Sequence, residues 1–281
     1  MIDIEHRSVL MCPPTFYTVR DVKNPFMQSG SPVDHDLAQR QWNGVREAFE
    51  QAGVKTETID PVDDLEDMVF AANQAFIGAG ESYGKFFVPS RMRYESRERE
   101  VPYYTSWFKK HGFASINLFL KAEDQFLEGH GDLLWHPQQP RVWAGYGFRS
   151  SKAGIDRFTE AMQQQEFTVT PLQLVDETFY HLDTCFAPLN GNAAMVYPGA
   201  LSESAMAVLR RGWKRLHEVS RDDAMQFVCN GVAVNGYFIA SHLPDAIATI
   251  VKNEGLKPLV VDTSEFEKGG GSVFCMKVFL D

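Results

Sequence analysis

Gly271-Ser-Val-Phe-Cys-Met-Lys-Val-Phe-Leu280 is the stretch that decides the fold. Its β-branched and aromatic residues suit a strand, and no second strand-like run follows it. Near the other end, Ser8-Val-Leu-Met-Cys-Pro-Pro14 is a strand-like run with no partner before it. Pairing the two closes the chain on itself and removes exposed sheet edges. Gly269 to Gly271 let the backbone pass close to a ligand, and Cys275 is expected just inside the strand that follows. A thiol beyond such a loop is where a nucleophile belongs. A lone Cys in an apolar strand also fits a small, inert core residue.

Between these ends one pattern recurs. Helix-to-strand junctions read AFEQAGVKTETID (48–60), WFKKHGFASINLF (107–119), AMQQQEFTVTPLQL (161–174), RLHEVSRDDAMQFV (215–228) and IVKNEGLKPLVVD (250–262). Lys, Arg or Gln ahead of Gly marks a helix C-terminus. Strand pairs follow: MVFAANQAFI (68–77) with KFFVPSRM (85–92), QFLEGHGDLLWH (125–136) with RVWAGYG (141–147), YHLDTCFAPL (180–189) with AAMVYPG (193–199), and FVCNGVAV (227–234) with GYFIASH (236–242). With the two ends paired, the chain holds five ββαβ-like modules in a closed ring, one domain over residues 1–281 with pseudo-fivefold symmetry. Periodicity alone also allows an ordinary open α/β sheet.

The 281 residues are 44% apolar and 12% aromatic, enough to bury a sizeable core. Thirty-seven acidic against 27 basic residues give a formal charge of −10. That disfavours nucleic acid and anionic membranes as partners and suits a cationic small molecule. Cys12, Cys185, Cys229 and Cys275 form no C-x-x-C pair, so no structural zinc site is expected. No secretory leader or membrane-length apolar run is visible, and free thiols fit a reducing cytoplasm. A homo-oligomer is compatible with all of this.

Several polar residues stand out against the apolar runs. Glu128-Gly-His-Gly-Asp132 places a Glu among small neighbours, where a ligand can approach; a solvated turn is the alternative. His181 and Asp183, two apart in an expected strand, would share a face and could act as a base with its anion. Asp67 and Asn73 would lie at the two ends of another strand, also on one face. Among Arg91, Arg93, Arg97 and Arg99, one could clamp a carboxylate, and Arg149 at a strand end after glycines is a better candidate. Asn24-Pro25 reads as a turn, with ligand contact as the alternative.

In this order, MCPPTFYTVRDVKNPFM, EGHGD, GYGFRSS, HLDT and EFEKGGGSVFCMKV resemble the guanidino-group modifying superfamily. It contains arginine deiminases, dimethylarginine dimethylaminohydrolases, arginine dihydrolases and glycine amidinotransferases. The resemblance covers essentially the whole chain, and it implies a five-bladed α/β propeller and chemistry without cofactor or metal. It implies that Cys275 attacks the guanidinium carbon. His181 would be the general acid/base, protonating the leaving amine and then activating water. Glu128 and Asp183 would hold the guanidinium, with Arg149 and Arg97 taking the substrate carboxylate. Deiminases and dimethylargininases carry Asp where Asn73 stands, so the chain is most similar to arginine dihydrolases. An amide can donate to a neutral ureido oxygen, which an ionised carboxylate cannot. The resemblance therefore implies hydrolysis of arginine to ornithine, carbon dioxide and two ammonia. Release of citrulline by a deiminase or dimethylargininase is the alternative, and transfer of the amidino group to an amine is a second.

Overall fold

The computed structural model describes residues 7–28, 30–80, 84–118, 124–163, 165 and 167–281. Its regularity starts at the helix ends. The junctions at 48–60, 107–119 and 250–262 each turn on a glycine in left-handed conformation: Gly53, Gly112 and Gly255, with φ of 77°, 84° and 80°. At the opposite ends, Asp34, Ser151 and Ser202 accept hydrogen bonds from the amides of Leu37, Gly154 and Ala205. The junction expected at 215–228 lies elsewhere. The helix there is Glu203–Gly212, and Arg-Leu-His-Glu itself is the strand.

Among the described residues, fifteen strands are interspersed with these helices. β1 (Ser8–Met11) pairs in parallel with β2 (Lys55–Thr58). β3 (Ala75–Gly80) runs antiparallel to β4 (Gly84–Pro89), which runs parallel to β5 (Ala114–Ser115). The same arrangement recurs in β6 (Leu133–Trp135), β7 (Arg141–Tyr146) and β8 (Thr168–Gln173). It recurs in β9 (Phe186–Pro188), β10 (Ala193–Val196) and β11 (Arg215–Glu218). It recurs again in β12 (Val232–Val234), β13 (Tyr237–Ala240) and β14 (Lys257–Val260). β15 (Val278–Phe279) lies antiparallel to β1, with Val9 opposite Phe279 and Leu10 opposite Val278. The two ends therefore pair as the sequence suggested. Among the described residues this mixed α/β fold comprises five three-stranded sheets, and no helix is long and apolar enough to cross a membrane.

Each long helix lays an apolar stripe on its neighbouring strands. Ala205, Met206 and Leu209 of Glu203–Gly212 join Ala194, Met195 and Val196 of β10 in one buried cluster. Each such large side chain removed from water stabilises the fold by about 1.5–3 kcal/mol. The helix His35–Gln51 buries Trp42, Val45 and Phe49 in the cluster that holds Val9, Met11 and Cys275.

Four of the expected strands begin later than the sequence suggested, for one shared reason. A short helical turn precedes each: Ala71–Gln74 before β3, Gly129–Asp132 before β6, Leu182–Thr184 before β9 and Val228–Asn230 before β12. The fifth module repeats this, with residues 273–276 in a turn ahead of β15. Asp67 and Asn73 are thus not the two ends of a strand; they lie in successive 3-10 helices, Glu66–Val69 and Ala71–Gln74. His181 and Asp183 do not share a strand face either. His181 is extended and caps the turn that contains Asp183. Cys275 lies in the turn, not inside the strand.

Candidate active site

Two of these turns, through Asn73 and Cys275, and His181 at the cap of a third reach one pocket. Lys23, Asn24, Met27, Asp67, Phe70, Asn73, Arg97, Arg149, Tyr180, His181, Gly269 and Cys275 line it. Seven of the nine site residues named from the sequence are among them: Asn24, Asp67, Asn73, Arg97, Arg149, His181 and Cys275. Asp183 and Glu128 adjoin the lining through hydrogen bonds to Cys275 and His181.

Cys275 is held from two sides. Its Sγ donates to Asp183 Oδ2 at 3.2 Å and lies 3.2 Å from Asn230 Nδ2. Asn230 is fully buried. Its Nδ2 also donates to the Asp183 carbonyl, and its Oδ1 accepts from the amides of Ser272 and Cys275. One side chain thus ties three modules together. In the sequence Asn230 lies within an apolar run expected as a strand. An amide inside FVCNGVAV was the available signal, since Asn is depleted in strands.

His181 faces the pocket from the other side. Its Nε2 lies 2.8 Å from Glu128 Oε2, while its buried Nδ1 has no hydrogen-bond partner among the described residues. Asp132 fixes the segment around it, accepting from the amides of Leu182 and Ser150. The expectation that Glu128 holds a guanidinium directly meets an obstacle. Its Oε1 accepts from Arg93 N at 2.9 Å and Arg149 Nε at 3.1 Å, and its Oε2 lies 3.0 Å from Arg149 Nη2. Both oxygens are engaged within the protein, which leaves Glu128 as the partner of His181. Arg149 also lies over the rings of Tyr94 and Tyr180, at 4.9 and 5.3 Å from their centroids.

Of the four arginines between 91 and 99, only Arg97 lines the pocket. Arg91 and Arg93 lie over the Phe126 ring, and Arg99 pairs with Asp64 at the surface. Asn24 donates to the Gly269 carbonyl at 3.0 Å, and Tyr180 Oη donates to the Gly270 carbonyl at 2.6 Å. The glycine loop is therefore tied down from both flanks. Gly270 has φ of 85°, and a Cβ there would lie 2.6 Å from the Asn24 amide.

Burial dominates the electrostatics. It pushes the Asp183 carboxyl up to about 7, against the Cys275 thiol, Lys277, Asn230 and Arg149. It pushes the Cys275 thiol well up, reinforced by Asp183 and opposed by the Asn230 amide. The free protein thus keeps the sulfur as a thiol rather than displaying a thiolate. Lys277, with its Nζ 3.3 Å from the centroid of the Phe274 ring, is brought down to about 7 by burial, against Asp183 and Cys275. Burial works against the Glu128 charge, yet Arg149 and His181 hold that carboxyl well below the usual range.

Five buried polar atoms around this centre have no hydrogen-bond partner among the described residues: both Asp67 oxygens, Asn73 Nδ2, His181 Nδ1 and Asp183 Oδ1; of these, Asp67 Oδ2 lies 3.0 Å from Lys23 Nζ. Unsatisfied groups are rare in native interiors, and a cluster of donors and acceptors around a thiol fits a polar, cationic head group. Among the described residues no group of three or more His, Cys, Asp or Glu is arranged to hold a metal ion.

Known proteins resemble the chain over nearly its whole length. A family model described as eukaryotic N,N dimethylarginine dimethylhydrolase matches residues 15–280. The chain is 33% identical over 271 residues to the bifunctional arginine dihydrolase/ornithine cyclodeaminase ArgZ of Synechocystis, covering 95% of this chain and 37% of that protein. It is 34% identical over 269 residues to a dimethylarginine dimethylaminohydrolase of Mycobacterium tuberculosis, covering 96% and 84%. Among solved structures, the N-terminal domain of ArgZ, an arginine dihydrolase crystallised as a mutant bound to substrate, superposes with a TM-score of 0.88 at 31% identity, covering 97% of each chain.

Proposed function

The chain belongs to the dimethylarginine dimethylaminohydrolase family, and from that premise we propose that it is an arginine dihydrolase acting through a covalent intermediate on Cys275. The guanidinium enters between Asp183, Asp67 and Asn73; the unpartnered carboxylate oxygens accept from its N–H groups, and Asn73 Nδ2 donates to the oxygen present after the first hydrolysis. Its positive charge offsets the burial cost of charge on Asp183 and Cys275, so the sulfur can attack as thiolate. Addition of sulfur to the guanidinium carbon gives a tetrahedral adduct. Protonated His181 gives its proton to the departing nitrogen, ammonia leaves, and a thiouronium remains on Cys275. Neutral His181 then takes a proton from water, whose oxygen attacks the same carbon and expels the thiolate, leaving citrulline. Glu128 orients His181 and stabilises its charged form. Arg97 and Arg149 are the candidates for the substrate carboxylate.

The observation that carries the second hydrolysis is Asn73 Nδ2, a buried donor beside His181 with no hydrogen-bond partner among the described residues. It suits the oxygen of a ureido group, which holds citrulline for a second attack. That round consumes another water and releases ammonia, carbon dioxide and ornithine. The ArgZ relative is named for this activity. The dimethylargininase relative favours a second reading, in which citrulline is released. Product analysis decides between them. Arginine should yield ornithine and two ammonia, and Asn73→Asp should raise the ratio of citrulline to ornithine sharply. Citrulline as the sole wild-type product would leave the dimethylargininase or deiminase reading.

We also infer that the five sheets form a ring, a five-bladed α/β propeller serving as one catalytic domain over residues 1–281. The antiparallel pairing of β15 with β1 and the repetition of the same three-strand order support it. Four free cysteines suit a reducing cytoplasm.

A further inference from the structure

Asn73 is followed by Gln74, which belongs to a different buried network. Gln74 Nε2 donates to Glu100 Oε2 at 2.6 Å, and the same oxygen accepts from Arg97 Nε at 3.0 Å. Arg97 then sends Nη2 to the Phe70 carbonyl at 3.1 Å and Nη1 toward Asn73 Oδ1 at 3.4 Å. Gln74 and Glu100 are each 1% exposed, Arg97 is 4% exposed, and Glu100 does not line the pocket.

A carboxamide has one accepting end and one donating end. A guanidinium only donates, so Asn73 must face Arg97 with Oδ1; the flipped amide would set N–H against N–H. Nδ2 is then turned the other way. There it is buried without a hydrogen-bond partner among the described residues, and so close to Gly131 that a Cβ at that position would meet it at 2.3 Å. The same Cβ would lie 3.2 Å from His181 Cγ. The donating end therefore sits beside the general acid/base.

We infer that Glu100 is a positioning residue: by holding Arg97 in register it fixes the donating end of Asn73 toward the reacting head group. It thereby sets how well a neutral ureido group is retained relative to a guanidinium. Arginine's head group only donates and gains little from Nδ2; the oxygen of citrulline gains a hydrogen bond. The inference rests on the arginine dihydrolase reading, but its test separates the two.

The experiment compares the wild type with Glu100→Gln, which keeps the volume and removes the charge that holds Arg97. Arginine consumption and the citrulline-to-ornithine ratio are measured on the purified full chain, with citrulline inhibition of arginine turnover measured alongside. The released share of citrulline should rise about tenfold relative to ornithine, the size expected when one charge-assisted hydrogen bond loosens. Citrulline should also weaken as an inhibitor relative to the arginine KM. Both readouts are ratios, so loss of folded protein does not move them, and a loosened grip on the substrate tail cancels between the two ligands. If Glu100→Gln does not fold, Gln74→Leu removes the other donor to Glu100 and should shift both ratios the same way. Unchanged ratios with a lower overall rate overturn the inference. A wild type that makes only citrulline overturns the dihydrolase reading instead. The inhibition ratio then decides: citrulline weakened against arginine supports the role of Glu100, and no change refutes it.

Discussion

Asp183 carries the charge balance of the pocket. Burial lifts its carboxyl to about 7, whereas an unfolded Asp titrates near about 3.9. Between those values the folded chain holds a proton that the unfolded chain has released. The contribution of Asp183 to stability is thus complete below about pH 4 and lost as pH rises through about 7. Asp183→Asn removes that loss. Its melting temperature relative to the wild type should rise from about pH 5 to about pH 8, while turnover is abolished at both. Thermal melts across this range check it, and a constant difference would assign the titration to another group. At the neighbouring position, Cys275→Ser should lower turnover on the order of 10⁴-fold or more with the fold intact, read by kinetics and circular dichroism together. Cys12, Cys185 and Cys229 are buried away from the pocket lining, so alanine there should leave the activity of the folded protein largely in place.

The helical turns that open the modules explain both what was legible in the sequence and what was not. Helix ends at Gly53, Gly112 and Gly255 were readable because a left-handed residue leaves a compositional mark. The second strand of each pair was readable from its apolar run. The turns at 71–74, 182–184 and 228–230 were not. Their residues are all buried, as in a strand between two packed layers, and only hydrogen-bond geometry separates the two. The chemistry survived this error because the motif residues kept their order. What was lost was the partnership between them: Glu128 with Arg149, Asn73 with Arg97, and Asn230 altogether. Asn230 tests the importance of the turns. Asn230→Ala strands the amides of Ser272 and Cys275 and the Asp183 carbonyl. Each buried orphan costs about 1–3 kcal/mol, so chemical denaturation should show a loss of several kcal/mol. The variant that remains folded should also turn over more slowly, because Sγ loses one of its two holds.

At the scale of the molecule, the pairing of β15 with β1 joins sequence positions 270 residues apart. Val278 is fully buried opposite Leu10, and the Asp281 side chain accepts from the amides of Arg7 and Ser8. Val278→Asp buries an unpaired charge in that seam and should destabilise the whole chain by more than about 4 kcal/mol. Denaturation should remain a single transition; early loss of the terminal strand alone, with the remainder intact, would show that the seam is peripheral.

Asn73, Glu128, His181, Asn230 and Cys275 each stand at the start of a different module. No single module holds the pieces of the reaction. An unfinished copy emerging from the ribosome is a chain with ordinary thiols, harmless to the arginine around it. Activity is a certificate of completed folding, issued only once every module has taken its place.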